Sequence, residues 1–364
     1  MNRRLFLQTG IAAAIASPLH AALKSDRLED AAAVLAKATS SGHVASAVLH
    51  VTNGKESFTR AFGKGINENS MFLLGSISKP IAITALMTLF DQGAFQLDDP
   101  VLKFIPKFTG EGREQVTIRH LVTHVSGLPD QLPNNNSLRK NHAPLSEFVD
   151  HAIRTPLHFP PGNRFQYSSM AILLACRVAE LISKTDILTL VDRTVLQPLG
   201  MKHSAQGLGR FTIDDMVRSQ TEFGAIEAGA GDPSAKDWDW NSPYWRKLGA
   251  PWGGTHASAA DVGKFLNEFL LAKGEAVKPE TARLMIRNHN PAGLTPRGLG
   301  LNVGVGAGSA GCSEHTFGHT GSTGTIAWAD PASQTICVVL TSLPSRAVQP
   351  HPRDLAAAFV AKAV

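Results

Sequence analysis

The segment from Phe72 to Phe90 limits the possible folds of this chain more than any other stretch. An apolar stretch ends at Gly75, and an apolar run that predicts a long helix begins with Ser76 and Lys79. Side chains three residues apart lie on one face of a helical turn, so the hydroxyl and the ammonium can touch. A serine beside a lysine base can act as a nucleophile. The competing interpretation is a serine that caps the helix and a lysine in solvent.

The same Ser-x-x-Lys pattern occurs a second time, at Ser137 and Lys140. This copy lies in an asparagine-rich stretch that ends at Pro144, with no apolar run behind it. Such a composition predicts a polar loop and a solvated lysine. The first copy is therefore the candidate nucleophile and base.

Residues 1–22 have the composition of an export signal. Arg3 and Arg4 precede an apolar run, Ile11 to Ala16, that is too short to span a bilayer. The adjacent arginines favour a twin-arginine signal, and a general secretory signal is the alternative. After cleavage near residue 22, we expect a periplasmic or secreted protein with no stable membrane anchor.

Composition excludes several classes of function. With 364 residues and 43% apolar content, the chain can bury the core of one large domain or of two closely packed domains. The formal charge of +5 falls to about +3 without Arg3 and Arg4, and no basic run with interleaved aromatics occurs, so no nucleic-acid partner is expected.

The three cysteines of the chain cannot build a disulfide framework. We expect free buried thiols, with a Cys312–Cys337 bridge as the alternative.

The order of the predicted elements indicates a mixed fold. The predicted helices are 28–38, 76–90, 116–124, 145–155, 168–183, 187–196, 257–271 and 354–363, and the predicted strands are 45–51, 56–62, 299–305, 316–318, 325–329 and 335–341. This order predicts an α/β (α+β) fold. Residues 23–75 and 257–364 build one sheet domain, and residues 76–256 form a mainly helical domain with the active-site loops.

Four of the five tryptophans lie in the Gly- and Pro-rich segment 226–256, and they are Trp238, Trp240, Trp245 and Trp252. One interpretation is an aromatic wall around a substrate pocket. The other is a loop that packs on its own side chains.

Tyr167 follows a Pro-Pro-Gly turn and precedes Ser168 and Ser169 at the start of a predicted helix. The chain has seventeen phenylalanines and two tyrosines, so a tyrosine beside a turn indicates that its hydroxyl is needed. The alternative is a half-buried tyrosine bonded to a backbone carbonyl.

His319, Thr320 and Gly321 lie between two predicted strands in a glycine-rich stretch. Glycine in a strand allows another backbone or a ligand to approach closely. His319 can offer a charge or a hydrogen bond to a carboxylate, and the alternative is a surface histidine in a hairpin.

The three motifs, in chain order, are Ser76-x-x-Lys79, Tyr167–Ser168–Ser169 and His319–Thr320–Gly321. In order and separation they resemble the motifs of the superfamily that contains class C serine β-lactamases, serine D,D-peptidases and family VIII-type esterases. The similarity covers nearly all of the mature chain, including residues 117–128 and 198–201. It implies an antiparallel sheet flanked by helices plus an all-helical domain, with the site in the cleft between them.

The resemblance also implies acyl transfer through Ser76. Its hydroxyl attacks a carbonyl, and Lys79 and Tyr167 share the proton transfers, with the identity of the base left open. The oxyanion is expected between the backbone N–H groups of Ser76 and Ser322. The expected substrate-binding residues are Ser169, His319, Thr320, Gly321 and Ser322.

Two residues depart from the family pattern. Ser169 stands where the family usually has asparagine, which removes an amide that would bind the side-chain carbonyl of a β-lactam. His319 stands where β-lactamases have lysine.

The sequence thus predicts an exported serine acyl hydrolase that acts on D-amino-acid peptides or carboxylic esters. The alternatives are a β-lactamase and a non-catalytic penicillin-binding or peptidoglycan-sensing domain. The expected partner is a small-molecule or peptide substrate, peptidoglycan fragments included, and no metal or organic cofactor is expected because the histidines lack metal-ligand spacing.

Overall fold

The computed structural model describes residues 25–224, 228–230 and 232–363. The predicted export signal at 1–22 lies outside the described residues, as does a small part of the tryptophan-rich segment. Within the described residues the strands are β1 Ala47–Thr52, β2 Ser57–Phe62, β3 Phe72–Leu73, β4 Ser204–Gln206, β5 Thr255–Ala257, β6 Asn302–Val303, β7 Phe317–Gly321, β8 Thr325–Asp330 and β9 Thr335–Thr341. The helices are α1 Ser25–Ser40, α2 Ser78–Asp91, α3 Ile118–Val122, α4 Asn135–Lys140, α5 Leu145–Arg154, α6 Ser169–Ser183, α7 Ile187–Val191, α8 Pro243–Leu248, α9 Ala259–Leu271, α10 Pro279–Met285 and α11 Pro352–Ala363.

The larger sheet joins both ends of the described chain. Its six strands lie in the order β2-β1-β9-β8-β7-β6, and neighbouring strands are antiparallel. The early strand β1 pairs with the late strand β9, with Ala47 opposite Thr341. A smaller antiparallel sheet of order β3-β5-β4 holds the strand that leads to the candidate nucleophile. The predicted fold class, an antiparallel sheet flanked by helices, is confirmed.

The central strand β9 is buried along its whole length because helices cover both faces of the sheet. Cys337 and Val339 face the core formed with α1 and α11, whereas Val338 and Leu340 face the core formed with α9. Successive residues of a strand point to opposite faces, so a strand between two helical layers is apolar throughout. The uninterrupted apolar sequence of β9 follows from this position.

The helix α2 runs through the middle of the larger core. Its residues from Ser78 to Leu89 are buried, and it packs against α6. A helix enclosed on every side has no polar face to present to water, which explains its largely apolar sequence. None of the described helices combines the length and the apolar character that crossing a bilayer requires.

Two secondary-structure predictions were wrong: the strand predicted over 299–305 is reduced to the two residues of β6, and the predicted polar loop before Pro144 contains α4. Leu138 and Arg139 are buried on this helix, and the Arg139 guanidinium lies 3.7 Å from the centre of the Trp245 ring. Asparagine-rich sequence has weak helix propensity, and here tertiary packing against the tryptophan-rich segment overrides it. Lys140 remains exposed, as predicted, and pairs with Asp232 at 2.7 Å.

Candidate active site

Ser76 lies on a tight turn between a strand and a buried helix. The chain leaves β3, Gly75 adopts a left-handed conformation with φ 57°, and a single 3₁₀ turn over Gly75–Ile77 leads into α2. Glycine takes this backbone conformation without the strain that a Cβ would add. The turn leaves the Ser76 side chain only partly buried, at the mouth of a cavity.

The turn between β7 and β8 holds the nucleophile segment from the other side. Thr323 Oγ1 donates a hydrogen bond to the Leu73 carbonyl at 2.7 Å, and Thr325 Oγ1 donates to the Leu74 carbonyl at 2.7 Å. The two turns are so close that a Cβ placed on Gly75 would lie 3.2 Å from the amide nitrogen of Ser322. The amides expected to bind the oxyanion therefore belong to two segments in direct contact.

Gly321 makes the contact between these two segments possible. A Cβ at this position would lie 2.2 Å from the Leu74 carbonyl oxygen and 2.3 Å from Thr325 Oγ1. The close approach predicted for this glycine is confirmed, and the approaching group is protein backbone. No substrate contact is implied by this packing.

We predict that Gly321→Ala pushes the β7–β8 turn away from Ser76. Overpacking of this kind lowers the free energy of unfolding by about 1–3 kcal/mol, and displacing a reacting group by about 1 Å lowers turnover by about 10²-fold. Thermal unfolding and ester hydrolysis measure both effects. Gly306→Ala is the matched control, because a Cβ at Gly306 meets nothing within 4 Å. Wild-type activity in Gly321→Ala would contradict the proposed packing.

Lys79 contacts Ser76 directly. Its Nζ donates a hydrogen bond to Ser76 Oγ at 3.0 Å and another to the Trp252 carbonyl at 2.9 Å. The lysine side chain is 1% exposed, and no carboxylate lies within 4 Å of its Nζ among the described residues. The hydrogen bond therefore places the Lys79 amine within reach of the Ser76 hydroxyl proton.

Tyr167 lies next to Lys79, immediately before α6. Ser168 caps α6 by accepting a hydrogen bond from the Ala171 amide at 2.9 Å, and its hydroxyl donates to the Pro129 carbonyl at 2.8 Å. The two hydrogen bonds fix the backbone at Ser168, the residue that follows Tyr167. The centre of the Tyr167 ring lies 4.7 Å from Lys79 Nζ. The Tyr167 hydroxyl is buried and has no hydrogen-bond partner among the described residues. Since catalytic hydrogen bonds often form only when substrate binds, this geometry is compatible with acid–base work.

His124 supports Tyr167 from behind and was not singled out in the sequence. It is fully buried with φ 62°, and its ring centre lies 4.6 Å from that of Tyr167. The Ser168 amide donates to His124 Nδ1 at 3.2 Å. Burial lowers the pKa of His124 well below its ordinary value, and the cations of Arg297 and Lys79 lower it further. A strained backbone at a buried polar residue is a common sign of a functional position.

His319 also packs near Tyr167, with ring centres 6.0 Å apart. Its Nδ1–H donates to the Thr320 carbonyl at 2.7 Å. Burial lowers the pKa of His319 well below its ordinary value, and the cations of Arg297 and Lys79 act in the same direction. The imidazole is therefore neutral at neutral pH and offers no positive charge to a substrate carboxylate.

Ser169 pairs with an acidic residue that the sequence analysis missed. Its hydroxyl donates to Asp130 Oδ1 at 2.6 Å, and its amide donates to the same oxygen at 2.9 Å. The side-chain amide of Gln131 lies 3.5 Å from the Ser169 hydroxyl. A carboxylate and an amide thus stand at the position where the family usually has one asparagine.

A cavity of about 230 Å³ connects these groups. It is lined by Ser76, Lys79, Tyr167, Ser169 and Ser322, together with Trp240, Trp245, Trp252, Asp130, Arg139 and Arg346. The described structure therefore brings the first two motifs and Ser322 together in one cavity wall. His319, Thr320 and Gly321 are not among the lining residues, and their contact with substrate stays a prediction.

The tryptophan-rich segment fits both of its interpretations. Trp240, Trp245 and Trp252 line the cavity, whereas Trp238 is 1% exposed and packs near Arg139. Part of the segment forms the helix α8. The clustering of tryptophans was the only sequence signal for this wall, since nothing in the sequence indicated which rings would face the cavity.

Two further expectations concern cysteines and metals. The described structure has Cys176, Cys312 and Cys337 as free thiols, as expected, with Cys176 and Cys337 buried. Burial raises the pKa of Cys312 to about 11, which disfavours the thiolate. Within the described chain no group of three histidine, cysteine or acidic side chains is placed to hold a metal ion.

Comparison with known proteins identifies relatives of this chain. The Beta-lactamase family model matches residues 31–362. Esterase EstB of Burkholderia gladioli is 34% identical over 158 residues, covering 39% of this chain and 40% of the esterase. A Salmonella enteritidis protein provisionally named a D-alanyl-D-alanine carboxypeptidase is 26% identical over 304 residues, covering 76% of this chain and 70% of that protein.

A solved structure supports the same fold. The penicillin-binding protein homolog from Caulobacter crescentus superposes with a TM-score of 0.75 at 18% identity, covering 93% of this chain and 97% of that chain. The curated relatives are named for hydrolysis of esters and of peptides. Because the family model spans nearly the whole described chain, the protein belongs to the Beta-lactamase family and is a hydrolase related to the serine β-lactamases.

Proposed function

We propose that this protein is a serine acyl hydrolase that forms an acyl-Ser76 intermediate on carboxylic esters or D-amino-acid peptides. The observation that carries the proposal is the 3.0 Å hydrogen bond between Lys79 Nζ and Ser76 Oγ in a cavity also lined by Tyr167. A serine hydroxyl needs such a neighbour to become nucleophilic near neutral pH.

In the proposed reaction, Ser76 Oγ attacks the substrate carbonyl carbon while its proton passes to the pair formed by Lys79 and Tyr167. The negative charge on the tetrahedral oxygen is stabilised by the amides of Ser76 and Ser322. Collapse of the tetrahedral intermediate breaks the bond between the carbonyl carbon and the leaving group. The leaving group takes up the proton that Lys79 and Tyr167 received from Ser76. Water then attacks the acyl-serine in the reverse sequence of proton transfers and releases the acid.

The cavity wall combines apolar and charged groups. The rings of Trp240, Trp245 and Trp252 can bury an apolar part of a substrate, and Asp130, Arg139 and Arg346 line the same cavity. His319 is neutral, so positive charge toward a substrate carboxylate would come from residues that line the cavity, such as Arg346. Asp130 accepts both hydrogen bonds from Ser169, so the Gln131 amide near the Ser169 hydroxyl is the side-chain donor that could meet a substrate carbonyl at this position.

A fluorophosphonate tests the proposed nucleophile. We expect one adduct per chain, on the peptide that contains Ser76, because the reagent labels serines that have an adjacent base. Intact-protein and peptide mass spectrometry measure the adduct. Absence of labelling under conditions that modify a reference esterase would count decisively against the proposal.

Substrate panels separate the alternatives. Turnover of p-nitrophenyl esters or D-alanyl anilides supports the acyl hydrolase. A turnover rate for nitrocefin that exceeds the rates for both of these substrates would favour the β-lactamase. Labelling of Ser76 without turnover of any substrate would favour the non-catalytic penicillin-binding or peptidoglycan-sensing domain.

A further inference from the structure

A second cavity lies in the helical part of the protein, apart from the candidate active site. Its volume is about 480 Å³, against about 230 Å³ for the cavity at Ser76. The wall of this remote cavity is formed by residues 104–107, by the helices α5 and α6, by the first residue of α7 and by Pro251. Among the described residues, none lines both cavities. The remote cavity is therefore a separate space.

The inner wall of the remote cavity is apolar and buried. Its buried apolar side chains are Ile105, Val149, Ile153, Leu173 and Ile187. Protein interiors are packed as densely as organic crystals, so an apolar space of this size is uncommon in a folded chain. A cavity of about 300–1,000 Å³ with an apolar wall and a few polar groups is the usual form of a small-molecule site. The remote cavity has that size and that kind of wall.

The charged groups of the remote cavity balance one another. Arg177 Nη1 donates to Glu180 Oε2 at 3.0 Å, and the Ile187 amide donates to Glu180 Oε1 at 3.0 Å. The other two charged lining residues, Lys107 and Asp150, are exposed and carry opposite charges. A charged ligand would lose its hydration in this cavity and would find no net counter-charge there. An uncharged ligand loses little hydration and finds apolar surface.

We propose that the remote cavity is a second ligand site, which binds an uncharged, apolar small molecule such as a medium-chain alcohol. The driving force is the removal of apolar surface of the ligand and of the cavity wall from water. Apolar cavities in proteins stay free of water and accept apolar ligands for this reason. The site involves no covalent step, so the proposal goes beyond acyl transfer at Ser76 and does not depend on it.

The remote cavity lies close to the segment that supports Lys79. Pro251 lines the cavity, and the carbonyl of the next residue, Trp252, accepts the hydrogen bond from Lys79 Nζ at 2.9 Å. Phe148 of α5 packs on Trp252 with 5.6 Å between ring centres, and its neighbour Val149 lines the remote cavity. Since Trp252 also lines the cavity at Ser76, binding in one cavity has to be distinguished from binding in the other.

Two fluorescent dyes test the ligand class on the full chain. Phenylnaphthylamine is uncharged and becomes fluorescent in apolar surroundings, and anilinonaphthalenesulfonate has the same aromatic parts with an added negative charge. We expect the uncharged dye to bind with a Kd at least about tenfold lower, because the charged dye loses hydration without compensation. Decanol should displace the uncharged dye, and decanoate should do so about tenfold less well for the same reason. Equal affinities for the two dyes would contradict the assigned ligand class.

The variant Ser146→Trp tests where the dye binds. Ser146 is an exposed residue of α5 that lines the remote cavity, so a tryptophan there fills the mouth without replacing a buried group. Glu147→Trp is the matched control, because Glu147 is the next exposed residue of the same helix and is not among the described lining residues. We expect Ser146→Trp to raise the Kd of phenylnaphthylamine by at least about tenfold. Glu147→Trp should change it by less than about twofold.

Val149→Phe fills the same space from its buried wall and gives a second, independent measurement. A ligand that binds only the folded chain raises Tm by mass action. Decanol should therefore raise Tm by a few degrees in the wild type and in Glu147→Trp, and should leave Tm unchanged in Ser146→Trp and Val149→Phe. The Tm without decanol reports whether each variant is folded. Because Ser146 is exposed, its replacement should leave that value close to the wild type.

Two results would overturn the proposal. Equal dye affinity in Ser146→Trp, Val149→Phe and Glu147→Trp would place binding elsewhere, for example in the tryptophan-lined cavity at Ser76. Dye affinity that falls as the protein concentration rises would show that a second copy of the chain covers the remote cavity. Neither result depends on labelling of Ser76 by fluorophosphonate, so the second site and the proposed hydrolase fail separately.

Discussion

The Ser76→Ala variant is expected to lose at least about 10⁴-fold in kcat toward p-nitrophenyl esters, because the hydroxyl that is hydrogen-bonded to the Lys79 amine is lost. Lys79 would remain bonded to the Trp252 carbonyl, so the cavity keeps its shape. Steady-state hydrolysis and the loss of fluorophosphonate labelling measure the effect.

The chain contains its own control for this experiment. Ser137→Ala removes the serine of the second Ser-x-x-Lys pattern, which lies on α4 with an exposed side chain. We expect turnover within about twofold of the wild type, since surface substitutions of this kind have small effects. Equal losses in Ser76→Ala and Ser137→Ala would show that Ser76 is not the nucleophile.

Tyr167→Phe is expected to lower kcat/KM by about 10²–10⁴-fold, the contribution of one positioned acid–base group. The ring, its contact with Lys79 and its packing on His124 are retained, so only the hydroxyl is lost. Because that hydroxyl is buried without a hydrogen-bond partner in the described structure, its removal should leave Tm unchanged or raise it. Parallel measurements of kinetics and thermal unfolding separate the two effects.

Tyr244→Phe is the matched control for the loss of a phenol hydroxyl. Tyr244 donates to the Ala143 carbonyl at 2.8 Å and stacks on His142, away from the nucleophile. Its removal should cost about 1 kcal/mol of stability and leave kcat/KM near the wild-type value. If Tyr167→Phe instead lowered Tm and kept its activity, Tyr167 would be a structural residue.

Local sequence was sufficient where the relevant geometry spans a few residues. The spacing of Ser76 and Lys79 alone places their side chains on one face of a turn, and the structure has them 3.0 Å apart. The strand β9, with its apolar run, and the turn before Tyr167 likewise appear where the sequence indicated them. The helix α4 is an exception, since its buried Arg139 packs on Trp245 from a distant segment.

The sequence by itself determined the contact between Ser76 and Lys79, the order of the three motifs and the mixed fold, since each depends on short-range spacing or periodicity. Only the tertiary structure decided that burial lowers the pKa of His319 and that Asp130 accepts the hydrogen bond of the Ser169 hydroxyl. It alone also brought the Arg297 guanidinium to 5.9 Å from the centre of the Tyr167 ring. These properties depend on burial and on charges brought together from distant segments, and the ionisation of a side chain follows its surroundings more than its identity.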